Sequence, residues 1–107
     1  MNTIHNIGVS AQIGRYSDGV EVSGNARWLH TSGTPGIRSD GTVPETIEAQ
    51  AEQAWKNILA ILEAAGMGVA DIVKYLGEAR PAFMLSVVTE LIRPEILVEI
   101  EVFAAKA

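Results

Sequence analysis

Two glutamates near the C-terminal end of the chain are the residues best placed for chemistry. Glu99 and Glu101 alternate with Val98, Ile100 and Val102, and on a β-strand this spacing puts both acids on one face. Two carboxylates on one strand face need solvent, a partner subunit or a site. They are either solvated acids on an edge strand or part of a site that uses a carboxylate.

Several other kinds of site find no support in the sequence. The chain has no cysteine, which excludes a thiol nucleophile, a disulfide framework and a thiolate zinc site. His5 and His30 have no partner at metal-ligand spacing, so we expect no metal. Ser32 is not in a Gly-x-Ser-x-Gly elbow, and Gly33 and Gly36 do not begin a phosphate loop.

Composition predicts one small globular domain that covers residues 1–107. Hydrophobic residues make up 48% of the chain and charged residues 20%, and a chain of this length supports a single core. The net charge is -5 and the Lys and Arg residues are scattered, which disfavours nucleic-acid binding. Since no stretch resembles a signal peptide or a membrane span, we expect a cytoplasmic protein that contacts no membrane.

Periodicity predicts the elements that would position these residues. Alternating and β-favouring residues indicate strands at 3–10, 20–22 and 26–32, which we expect to form an antiparallel N-terminal sheet. Two further strands are predicted at 83–91 and 96–105. We expect Trp28 and Trp55 to lie in the core.

The strongest local pattern begins at Thr46, where apolar residues recur every three or four positions. This stripe predicts an α-helix of about 20 residues, with Thr46 as its N-cap and Gly66 at its C-terminal stop. Its members are Ile47, Ala51, Ala54, Trp55, Ile58, Ile61, Leu62 and Ala65.

Specific segments throughout the chain resemble the RidA superfamily of reactive-intermediate imine deaminases, also called the YjgF or L-PSP endoribonuclease type. They are residues 13–16, 31–33, 40–41, 47–50, 57–59, 63–67, 80–82, 87–88 and 97–101. The resemblance implies an α+β, chorismate-mutase-like fold, in which a mixed β-sheet is packed by helices. It also implies a homotrimer with a small-molecule cleft between neighbouring subunits.

The resemblance also implies an activity and a set of residues. The family hydrolyses enamine or imine intermediates to a keto acid and ammonia, with no metal or organic cofactor. Glu99 matches the acid that can position water, and Tyr16 and Ser32 match residues that line the cleft. Gly33 would let the backbone approach a ligand.

Two departures separate this chain from the family pattern. Phe83 stands where the family has the arginine that pairs with a substrate carboxylate, and Arg80 lies three residues away. A strand and a helix are also missing between Lys74 and Tyr75, either because the chain has lost them or because the sequence omits a segment.

Two classes of function follow from these residues. The first is an enzyme that hydrolyses an imine, an enamine or a related small carbonyl compound, with Glu99 as the catalytic residue and Tyr16, Ser32, Gly33 and Phe83 around the substrate. The second is a non-catalytic trimer that binds a small metabolite or a partner protein in a cleft made apolar by Phe83. A ribonuclease is disfavoured because the chain is acidic and lacks a basic stripe.

Overall fold

The computed structural model describes residues 2–12, 18–74, 91 and 93–106. Within them the chain forms seven strands, one long helix and two short 3-10 turns at Ser10–Gln12 and Val69–Asp71. The strands are β1 (Asn2–His5), β2 (Gly19–Val22), β3 (Arg27–His30), β4 (Thr34–Pro35), β5 (Ile72–Lys74), β6 (Glu99–Ile100) and β7 (Phe103–Lys106), and the helix is α1 (Ile47–Ala64). This mixture confirms the α+β class.

Helix α1 begins and ends where the sequence predicts. The Thr46 side chain accepts a hydrogen bond from the backbone N–H of Ala49 at 3.2 Å, which caps the N-terminus. At the other end Gly66 has a φ of 70°, and the N–H of Met67 donates to the carbonyl of Leu62 at 2.8 Å. This left-handed stop satisfies carbonyls that the helix leaves unpaired, and glycine adopts it without steric cost.

The buried line of α1 differs in part from the predicted stripe. It consists of Gln50, Ala54, Ile58 and Leu62. Trp55 is half-buried against this core, whereas Ile47 is 49% exposed because it lies on the first turn, to one side of the buried line. The core is completed by residues of the strands and of the turn after the helix, namely Met67, Ile72, Ile100, Val102 and Ala104.

The N-terminal strands do not form the expected three-stranded sheet. Strands β1 and β2 pair antiparallel as predicted, but β3 pairs antiparallel with β7, and β7 also pairs with β5. Alternation identifies a strand but not its partner, which long-range packing decides. Trp28 is 52% exposed, contrary to expectation, because it alternates with Leu29, the residue that packs on the core.

The C-terminal segment predicted as one strand at 96–105 forms the two strands β6 and β7. Its alternation is confirmed, since Ile100 and Val102 join the core while Glu101 is exposed. The strand predicted at 83–91 lies outside the described residues except for its last position. No helix within the described part of the chain is long and apolar enough to cross a membrane.

Candidate functional site

A β-bulge lies at the point where the two-stranded β4–β6 pair joins the sheet of β3 and β7. His30 stands opposite Phe103, and Thr34 stands opposite Ile100. Three residues, 31–33, therefore face only two, 101–102, across the antiparallel pair. One extra residue of this kind bends a strand and redirects its side chains, which is common beside functional sites.

Thr31 holds the bulge together from inside the protein. Its backbone N–H donates to the carbonyl of Val102 at 3.1 Å, and its hydroxyl oxygen accepts from the N–H of Val102 at 2.9 Å. Both residues are buried, so a side chain supplies the acceptor that a regular ladder would take from the backbone. The residues that the bulge leaves at the surface are Ser32 and Gly33, both exposed.

The carboxylate of Glu99 lies directly over Gly33. A Cβ atom placed on Gly33 would come within 2.5 Å of Glu99 Oε1 and 3.6 Å of its carboxyl carbon. Any side chain at position 33 would therefore push this carboxylate away, and glycine is the residue that leaves room for it. Glu99 is half-buried, so its carboxylate is held against the backbone while it can still meet a small molecule.

The two faces of the sheet carry different residues. One face packs on α1, and Leu29, Val102 and Ala104 belong to it. Residues that alternate with these lie on the opposite face, which we call the open face. The open face carries Trp28, His30 and Ser32 from the β3 side, and Glu99, Glu101 and Phe103 from the β6–β7 side.

An aromatic cluster lies on the open face next to the acids. The rings of His30 and Phe103 are stacked, with centroids 4.4 Å apart and an interplanar angle of 9°. Trp28 meets His30 edge-on at 6.1 Å. Stacked and edge-to-face rings at these distances attract one another, so the open face combines carboxylates with a fixed apolar surface.

Strands β3, β6 and β7 carry two cationic side chains, and both form hydrogen bonds on the face that packs on α1. Arg27 Nη1 donates to the carbonyl of Ala65 at 3.1 Å, and Lys106 Nζ donates to the carbonyl of Gly66 at 3.2 Å. These carbonyls lie at the C-terminal end of α1, where positive charge is stabilised by the helix dipole. Neither cation is therefore directed at Glu99 or Glu101.

Two polar side chains of α1 fix the segments that flank the site, and sequence reasoning missed both. Gln50 is 1% exposed; its Nε2 donates to the carbonyls of Pro44 at 2.9 Å and Glu95 at 2.8 Å, and its Oε1 accepts from the N–H of Leu97 at 2.8 Å. Asn57 Nδ2 donates to the carbonyl of Pro35 at 3.0 Å. The helix thus anchors both β4 and the approach to β6.

A signal for Gln50 exists in the sequence. Gln50 stands four residues before Ala54 in the same row as Ile58 and Leu62, and a polar residue on the buried line of a helix must find hydrogen-bond partners. Asn57 gives no such signal, because it lies beside that row. Gly36 is buried against α1, since a Cβ there would meet the Gln50 Cα at 2.9 Å.

The predicted site residues divide into two sets. Ser32, Gly33 and Glu99 lie together at the bulge, as described above. Tyr16 and Phe83 lie outside the described residues, as do Arg80 and the junction between Lys74 and Tyr75. Among the described residues, no group of three or more His, Cys, Asp or Glu side chains could hold a metal ion.

Comparison with known proteins identifies a family. Residues 9–77 match the model of a family described as Endoribonuclease L-PSP. The 2-iminobutanoate/2-iminopropanoate deaminase of Escherichia coli (strain K12) is 45% identical over 73 residues, which cover 67% of this chain and 55% of the relative. The chain thus spans about half the length of the curated relatives it matches. Ser32 and Gly33 lie inside the matched range, and Glu99 lies beyond it.

Solved structures extend the likeness to nearly the whole chain. A protein of unknown function of the conserved Rid family from Yersinia pestis, YyfB, superposes with a TM-score of 0.84 at 25% identity, covering 98% of each chain. RidA from the Antarctic bacterium Psychrobacter sp. gives a TM-score of 0.66 at 33% identity, covering 86% of this chain and 89% of that one.

Proposed function

Because this chain belongs to the RidA superfamily through its match to the Endoribonuclease L-PSP family, we propose that it hydrolyses small imines or enamines. The observation that supports this most is the position of the Glu99 carboxylate, held over Gly33 on the open face. The E. coli relative is named for the deamination of 2-iminobutanoate and 2-iminopropanoate. The substrate of this chain is an imine or a related small carbonyl compound.

The reaction needs a water molecule, a proton acceptor and a proton donor. Water attacks the imine carbon and forms the new C–O bond, and the C–N bond then breaks so that nitrogen leaves as ammonia. Glu99 would orient the water, accept its proton and return a proton to the leaving nitrogen. The carbon keeps its oxidation state, so the balance requires no redox partner.

The proposal includes a cleft shared between subunits of a cytoplasmic homotrimer. The open face would form one wall, and Tyr16 and Phe83 would complete the lining together with Ser32. The Glu99 side chain is already half-buried within one subunit, and cover from a second subunit would exclude more water from the reacting atoms. Exclusion of water strengthens the electrostatic effect of a carboxylate on a nearby cation.

A substitution of Phe83 tests imine hydrolysis against the alternative, a non-catalytic trimer that binds a metabolite or a partner protein. A phenylalanine gives a carboxylate no charge and no hydrogen bond, so Phe83→Arg should raise kcat/KM for a 2-imino acid by about ten- to a hundredfold. Leu97→Arg is the matched control, because it makes the same change from an apolar to a cationic side chain at a described residue that is 51% exposed. Unchanged rates in Phe83→Arg would favour the non-catalytic trimer that binds a metabolite or a partner protein.

A further inference from the structure

We propose that the open face selects a planar, positively charged ligand without a carboxylate, such as an aryl iminium or amidinium ion. This inference rests on the proposed function for the place of the ligand, beside Glu99, and it specifies the chemical class that this site accepts. It departs from the 2-imino acids for which the E. coli relative is named.

The charges on the open face favour a cationic ligand. Glu99 and Glu101 lie on the open face. The cations Arg27 of β3 and Lys106 of β7 donate to carbonyls at the end of α1, on the opposite face. An anionic ligand beside Glu99 would meet like charge, because Arg27 and Lys106 are bonded on the other face and Lys74 of β5 stands opposite Phe103 and not opposite either acid. A cationic ligand would meet two carboxylates, and the net charge of -5 acts in the same direction.

The shape and polarity of the open face favour a planar ligand. The stacked rings of His30 and Phe103 adjoin the acids, since Phe103 lies two residues from Glu101 and His30 two residues from Ser32. A planar ligand can pack on such rings, and a cation above an aromatic face gains further attraction.

Three ligands of nearly equal shape but different charge test the contribution of charge to binding. Benzamidine is a planar cation at pH 7.5, benzamide is its neutral analogue and benzoate is its anionic analogue. Dissociation constants measured by chemical-shift titration at low ionic strength should be at least about tenfold lower for benzamidine than for benzamide, with benzoate the weakest. Equal affinities, tighter binding of benzoate or no binding of any of the three would overturn the proposal.

Variants that remove one negative charge show which carboxylates attract the cationic ligand. Glu99→Gln and Glu101→Gln should each weaken benzamidine binding several-fold and leave benzamide binding nearly unchanged. Glu52→Gln makes the same change in net charge on an exposed side chain of α1, whose ion-pair partner Lys56 lies 4.0 Å away, and it should have no effect. If Glu52→Gln weakens binding as much as Glu99→Gln, overall charge and not the open face is responsible, and the proposal is wrong.

The test of the ligand class can succeed or fail independently of the test of imine hydrolysis. Selective benzamidine binding in a protein that hydrolyses no imine would keep the ligand class and reject the enzyme. Rapid hydrolysis of a 2-imino acid that benzamidine fails to inhibit would keep the enzyme and reject the ligand class.

Discussion

At the scale of single residues, the contact between Gly33 and Glu99 determines where the carboxylate lies. The resemblance to family positions identifies Ser32, Gly33 and Glu99 in the sequence, but their closeness depends on pairing between segments more than sixty residues apart. That pairing has no local signature. The contact also predicts that the site can be damaged without damaging the fold.

The Gly33→Ala substitution should separate the two effects. Its new Cβ would come within 2.5 Å of Glu99 Oε1, which is the mobile end of a side chain, so the free energy of unfolding should change by less than about 1 kcal/mol. The displaced carboxylate should lower imine hydrolysis or benzamidine binding about tenfold or more. Gly68→Ala, where a Cβ meets nothing within 4 Å, should leave both the stability and the activity unchanged. A loss of stability in Gly33→Ala that Gly68→Ala does not show would contradict the account.

At the scale of elements, α1 acts as the support of the site. The helix, its Thr46 cap and its Gly66 stop were predictable because they depend on residues close in sequence. The partner of β3 and the bulge at 31–33 were not predictable, because they depend on the register of β3 and β4 against β6 and β7. The exposure of Trp28 follows from the same register.

Gln50 tests the supporting role of the helix. Gln50→Leu keeps the volume but removes the partners of the Pro44 and Glu95 carbonyls and of the Leu97 N–H. Unpartnered buried groups are costly, so we expect the free energy of unfolding to fall by at least about 2 kcal/mol in urea denaturation. Gln53→Leu removes a bond to Asn57 within the same helix and should cost less. Equal losses would show that the three anchoring bonds are not important.

At the scale of the whole molecule, the proposed trimer would cover apolar residues that one subunit leaves exposed. Ile7 is 80% exposed and Trp28 is 52% exposed, and a proposed cleft between subunits needs such contact. Light scattering should give a mass about three times 11.4 kDa, and Trp28→Lys should lower it. Leu59→Lys, at a residue of α1 that is 44% exposed, should not. A monomeric wild-type protein would contradict the trimer.

The intact mass addresses the junction between Lys74 and Tyr75. A polypeptide of 11.4 kDa would mean that the chain truly lacks the strand and helix of its longer relatives, and a larger mass would mean that a segment intervenes.

The most direct test of the account is the rate of ammonia release from imines formed in situ. A flavin-dependent amine oxidase acting on benzylamine supplies a carboxylate-free aryl imine, and an amino-acid oxidase supplies a 2-imino acid. We predict that the protein accelerates release above buffer, more for the aryl imine, and that Glu99→Ala abolishes the acceleration while Glu52→Ala retains it. No acceleration with either imine, or acceleration that survives in Glu99→Ala, would contradict the assignment of Glu99 as the catalytic residue of an imine hydrolase.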